Sequence, residues 1–144
     1  MAAKFTVKSL DHLVLTVRSI PESVAFYTTR LGMRHEMFTS PAAPTVQRHA
    51  LIFGSQKINL HESGKEFEPK AQTVMPGSAD LCFLTGEKVE NVLHAFREEN
   101  IEVLEGGRVV ERTGAVGKLR SVYVRDPDGN LIEISNLSGG EETS

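Results

Sequence analysis

Leu10-Asp11-His12-Leu13-Val14-Leu15-Thr16 and Ser78-Ala79-Asp80-Leu81-Cys82-Phe83-Leu84 are two versions of one strand, and their repetition decides how the chain is read. Each has the period-two alternation of a strand with two unlike faces. His12 and Asp80 stand 68 positions apart. Further on, Ile58-Asn59-Leu60 resembles Ile132-Glu133-Ile134 at an offset of 74, the extra residues falling in longer loops of the second half.

Helix signals lie outside each strand pair. Ser19-Ile20-Pro21-Glu22 reads as a capping box with proline in the first turn, followed by Val24, Tyr27 and Leu31 on one stripe and Gly32 as a stop. The second helix is expected from about Glu87 to Glu99, with Val89, Val92, Leu93 and Phe96 on one side. Strands are expected at 9–17, 34–39, 48–53 and 57–62, then at 79–85, 101–104, 119–124 and 130–135. Asp126-Pro127-Asp128-Gly129 suits a type I turn joining the last two. The order is βαβββ twice, so the expected fold is α+β: two tandem modules forming one cupped mixed sheet with helices on its outer face. Module one spans about 9–63, a linker 64–78, and module two about 79–136. Together they make a single domain over 9–136 with a flexible tail at 137–144. A repeat of this size hardly buries both its helix and its sheet alone, and pairing side by side solves that.

Composition narrows the function. The 144 residues are 40% hydrophobic and 24% charged, with a net charge of −3. That balance argues against nucleic acid or an anionic membrane as the partner. A single cysteine cannot form an internal disulfide, which excludes a staple-dependent secreted fold. Met1–Ser9 lacks a signal-peptide core, and no apolar run approaches the roughly 18 residues of a membrane span, so a cytoplasmic protein is expected.

Alternation assigns faces. Leu13, Leu15 and Val17 oppose His12, Val14 and Thr16; Ile58 and Leu60 oppose Asn59, His61 and Ser63. Leu81 and Phe83 oppose Asp80, Cys82 and Leu84, while Ile132 and Ile134 oppose Leu131, Glu133 and Ser135. The fully apolar faces should meet the helices. Each opposite face carries a residue able to ligate a metal or move a proton: His12, His61, Asp80 or Glu133. Taken singly each has a structural explanation, a solubilising charge or a turn cap. Registration changes that, because His12 and Asp80 are repeat-related, as are Asn59 and Glu133.

These motifs give the chain its resemblance to a known family. Leu10–Val17, Phe26-Tyr27 with Leu31-Gly32-Met33, Phe53–Glu62, Phe67–Ala71, Pro76–Cys82, Arg112–Ala115 and Arg125–Glu133 resemble the vicinal oxygen chelate (VOC) superfamily. That superfamily takes in glyoxalase I, fosfomycin-resistance transferases, extradiol dioxygenases and bleomycin-resistance proteins. The motifs look most like those of the glyoxalase domain-containing protein 5 group. The resemblance implies paired βαβββ modules around a divalent metal, with His12 and Glu133 in matching ligand positions. Asp80 stands where relatives commonly place His. Asn59 stands where glutathione-dependent glyoxalase I has a Glu that is both ligand and base, and an amide cannot take that proton. His61, two residues on, shares the face about 6.6 Å along the strand and is the substitute ligand or base.

The expected metal ligands are therefore His12, Asp80, Glu133 and His61, with Glu133 and His61 as proton carriers. Such a donor set suits Mn²⁺, Fe²⁺, Zn²⁺ or Ni²⁺ acting as a Lewis acid on two neighbouring substrate oxygens. The expected activity is lyase or isomerase chemistry of glyoxalase type on a small vicinally oxygenated substrate, a glutathione adduct as in lactoylglutathione lyase among the options. Two alternatives stay open: a metal-free binding or resistance protein of bleomycin-resistance type, and an Fe²⁺ extradiol-type dioxygenase. Relatives commonly pair, so a homodimer is expected. Cys82 reads as apolar packing or pocket lining; Arg112–Gly117 reads either as a loop offering Arg112 to an anion or as a connector. His35, His49 and His94 have no partner by spacing.

Overall fold

The computed structural model describes residues 1–138; of the tail expected at 137–144, Leu137 closes the last strand and residues 139–144 lie outside the described part. The chain forms two compact units, Met1–Met75 and Pro76 onward. The first holds β1 (His12–Val17), α1 (Ile20–Thr29), β2 (Arg34–Ser40), β3 (Ala43–Phe53) and β4 (Gln56–Glu62). The second holds β5 (Asp80–Leu84), α2 (Val89–Glu98), β6 (Val110–Thr113), β7 (Lys118–Arg125) and β8 (Leu131–Leu137). Strand order is β1-β4-β3-β2 in one four-stranded sheet and β5-β8-β7-β6 in the other. In each, the first strand runs parallel to the last and the remaining pairs are antiparallel. The duplicated α+β, βαβββ architecture is thus present twice with one topology.

Register confirms the repeat residue by residue. Val14 pairs with Asn59 as Cys82 pairs with Glu133, and Thr16 pairs with His61 as Leu84 pairs with Ser135. Leu15, Val17, Ile58 and Leu60 are buried against Tyr27 and its neighbours in the first unit, while Val122, Val124, Ile132 and Ile134 are buried with Val89 and Phe96 in the second. Burial of such side chains drives each sheet against its helix.

Helix ends are fixed by particular side chains. Ser19 Oγ accepts from the Glu22 N–H at 3.2 Å, the expected cap of α1. The N-cap Lys88 of α2 offers no side-chain bond; Asn136 of β8 supplies it instead. Asn136 Oδ1 accepts from the Val89 N–H at 2.8 Å, and Nδ2 donates to the Thr85 and Glu87 carbonyls.

One expected strand is corrected. Residues 101–104 are not a strand; they lead into a 3-10 turn at Glu105–Gly107, and the strand comes at Val110–Thr113. The apolar residues Ile101, Val103 and Leu104 mimic a strand. The real edge strand is nearly all polar, because a side chain at a sheet edge need not be apolar.

Candidate functional site

Glu133 is the best-prepared ionisable group in the second unit. Its side chain comes from the parallel-paired strand β8 and is only 9% exposed. Ser121 Oγ donates to Glu133 Oε2 at 2.6 Å, and Ser121 and Ser135 hydroxyls are 2.7 Å apart. A hydroxyl has one proton. If the Ser121 proton points to the carboxylate, Ser135 must be the donor at the 2.7 Å contact. The Cys82 thiol, 3.3 Å from Ser135 Oγ, can then donate in turn. The chain of donors ends on the carboxylate, which keeps a buried charge solvated by protein.

Register explains why these groups meet. Tyr123 is the partner of Glu133 and Ser121 that of Ser135 across β7–β8, and Arg112 of β6 pairs with Leu119. Arg112, Ser121 and Tyr123 therefore share the face of Glu133. Arg112 Nε donates to the Tyr123 hydroxyl at 3.1 Å, and an Nη lies 3.6 Å from Glu105. Burial, and then the nearby Glu133 carboxylate, push the Tyr123 hydroxyl above its ordinary pKa. Partial burial likewise pushes the Cys82 thiol above its ordinary pKa, with the Ser135 hydroxyl opposing.

Arg112, Tyr123 and Glu133 form a wall common to two cavities. One, of about 380 Å³, continues along Leu84, Val116 and Leu119. The other, of about 290 Å³, continues to Asp80 and Arg125. Asp80 is exposed and sits two positions from the Cys82–Glu133 pair, sharing the smaller cavity with Glu133.

In the first unit His61 is 7% exposed and lines a cavity of about 390 Å³ with Val14, Thr16, Lys70 and Val74. Its ring meets Phe67 edge-on at 5.3 Å, and Phe67 in turn carries the Arg48 guanidinium 3.9 Å above it. Burial, then Arg48, hold His61 below its ordinary pKa, with Glu66 opposing. His12 lies at the start of β1 with its ring 2.8 Å from Asp11 Oδ2. His12 pairs with Lys57 and His61 with Thr16, four positions apart, or about 13 Å along the strands, so the first unit does not bring its two candidate ligand histidines, His12 and His61, together. Asn59 Oδ1 is buried without a hydrogen-bond partner. Within neither unit, among the described residues, do three or more His, Cys, Asp or Glu side chains converge on a point where a metal ion would sit.

Reading faces from single strands missed Ser121, Tyr123, Arg48 and Phe67. The signal for the first two was a hydroxyl and a phenol two positions apart, on the strand face opposite Val122 and Val124. Arg112 turns out to be on strand β6, not in a loop.

Comparison with known proteins gives the chain its family. The chain matches the Glyoxalase/Bleomycin resistance protein/Dioxygenase superfamily over residues 9–134 and belongs to it. It is 50% identical to the virulence protein STM3117 of Salmonella typhimurium over 129 residues, covering 90% of this chain and 84% of that one. It is also 50% identical to the glyoxalase domain-containing protein RDO1 of Mycosarcoma maydis over 133 residues, covering 92% and 70%. A solved structure from the mobile metagenome of V. Pseudocholerae superposes with a TM-score of 0.85 at 48% identity, covering 94% of this chain and 98% of that one. No helix among the described residues is long and apolar enough to cross a membrane.

Proposed function

We propose that the chain is a glyoxalase-type enzyme that moves a proton between neighbouring carbons of a small vicinally oxygenated substrate, with Glu133 as the proton carrier. The observation that carries this is the pairing of a buried, hydroxyl-supported carboxylate with a phenol and a guanidinium on one cavity wall. Glu133 removes the proton from the carbon beside a carbonyl, leaving negative charge on the carbonyl oxygen. Arg112 offers N–H groups to that oxygen and Tyr123 donates a hydrogen bond. The proton of the neighbouring hydroxyl passes to that oxygen, shifting the charge to the other oxygen of the enediolate, and Glu133 then returns its proton to the former carbonyl carbon, so that the net change is an isomerisation and the carboxylate is regenerated.

The resemblance adds a divalent metal to such chemistry, a Lewis acid for two substrate oxygens. The donors expected for it are His12, His61, Asp80 and Glu133. The second unit offers Asp80 and Glu133, and the first the separated His12 and His61. Neither unit by itself supplies the three or more donors of a catalytic site, so no step above runs through a metal. Metal analysis of protein purified without chelator, with titration of Mn²⁺, Ni²⁺, Zn²⁺ and Fe²⁺, tests the metal expectation separately.

The hemithioacetal of methylglyoxal and glutathione is the first substrate to try. Conversion to the thioester by the parent chain, lowered by about 10²–10⁴ in Glu133→Gln, supports proton transfer at this residue. Saturable binding of an organic ligand without turnover of any such adduct would favour the binding-protein alternative, to which the apolar side of the larger cavity is also suited.

A further inference from the structure

The cavity of the first unit has chemistry that proton transfer at Glu133 does not use. His61 is more than nine-tenths buried, faces this cavity, and has no hydrogen-bond partner among the described residues. Arg48 pairs with no carboxylate among them, and its Nε is buried without a partner. The antiparallel pair His49–Leu60 puts Arg48 next in line with His61, and both rest against the Phe67 ring. Arg48 is half-buried, and its buried Nε–H is an unmet donor that an anion would satisfy. Thr16, the register partner of His61, adds a hydroxyl to the same cavity, also without a partner. Lys70 is neutralised by Glu68, 2.5 Å away, so it closes the rim without being the primary cation. The remaining wall, Val14, Pro69, Ala71 and Val74, is apolar.

We propose that the first unit binds a small organic oxyanion, its charged end held by Arg48 and His61 and its apolar remainder packed against Val14, Pro69 and Val74. A guanidinium takes two oxygens of a planar carboxylate or a phosphate side by side, and the histidine N–H supplies a further donor. The apolar wall excludes a bare, fully hydrated ion as the best ligand, since such a ion leaves that surface in water. The site stands or falls independently of proton transfer at Glu133.

The test is a titration of the ¹⁵N-labelled full chain with butyrate, inorganic phosphate and butyramide, followed at the cavity amides and at the Arg48 Nε–Hε signal. Saturable shifts with butyrate, weaker with inorganic phosphate and weak or absent with butyramide, support the site; tighter binding of inorganic phosphate than of butyrate overturns it. Arg48→Met should weaken binding about ten- to a hundredfold, the loss expected for a charge-assisted hydrogen bond, while Arg34→Met on the exposed Arg34–Glu36 pair leaves it unchanged. If circular dichroism shows that Arg48→Met does not fold, His61→Gln is held to the same criterion. Absence of saturation with both anions, equal binding of butyrate and butyramide, or undiminished binding in a folded variant overturns the proposal.

Discussion

At Glu133 the surroundings decide the chemistry more than the residue type does. A carboxylate on an open strand would be a solubilising charge. This one is buried beneath a chain of hydroxyls whose donors end on Oε2. Removing a donor to a buried charge leaves a deficit that packing cannot repair, so Ser121→Ala should lower stability by about 1–3 kcal/mol in urea titration. Loss of less than a few tenths would mean that water replaces the hydroxyl freely. In the proposed reaction Arg112 meets substrate oxygen as well as holding Tyr123. Arg112→Met should therefore lower kcat/KM by about tenfold or more, with Glu133 left in place, whereas an unchanged value removes Arg112 from the site.

Elements are tied together by a few side chains whose loss has predictable costs. Asn136 gives α2 the cap that Lys88 does not, bonding one N–H and two carbonyls. Asn136→Ala should cost about 1–3 kcal/mol, measured by thermal or urea unfolding. The turn before β8 is built around Asp126, whose Oδ1 accepts from the Asp128 and Asn130 N–H groups, while the Asn130 side chain accepts from the N–H of Ala79, the residue just before β5. Gly77 packs against this turn with φ of +79°, and a Cβ there would lie 2.4 Å from the Asp128 carbonyl oxygen. Gly77→Ala should destabilise by about 1–3 kcal/mol or more through backbone displacement. Between β2 and β3, His35 and His49 stack with ring nitrogens 2.9 Å apart. Burial, then the His35 charge, hold His49 below its ordinary 6.5. The unfolded chain therefore takes up the proton first as pH falls through 6.5, so the pair's stability is full above that value and is lost below it. His49→Gln should flatten the decline in denaturation midpoint from about pH 7 to pH 5, and an equally steep decline would assign it to other groups.

For the whole molecule, the duplication was legible because β1 and β5 carry the same period-two pattern and β4 and β8 similar central triplets, Ile58-Asn59-Leu60 and Ile132-Glu133-Ile134. The site was legible one strand at a time. Glu133 and Asp80 could be placed on faces, but the partners that define what Glu133 does come from β6 and β7, whose register depends on the turns between them. Alternation likewise put His61 on a face without revealing that Arg48 and Phe67 meet it there. The strand at Val110–Thr113 was invisible for a related reason, since its four residues bury little apolar surface. At this scale the expected homodimer also becomes testable. Sedimentation at micromolar concentration should give twice the 15.8 kDa chain mass, and a single 15.8 kDa species would contradict it.

Exchange of the substrate's carbon-bound proton reports most directly on proton transfer at Glu133. The hemithioacetal of methylglyoxal and glutathione, incubated with the chain in deuterium oxide and followed by proton NMR, should lose its carbon-bound proton signal as thioester forms. Glu133→Gln should slow that loss by about 10²–10⁴ while the variant remains folded. A parent chain that converts no adduct with or without added Mn²⁺, Ni²⁺, Zn²⁺ or Fe²⁺, or a Glu133→Gln variant that works at the parent rate, would contradict it.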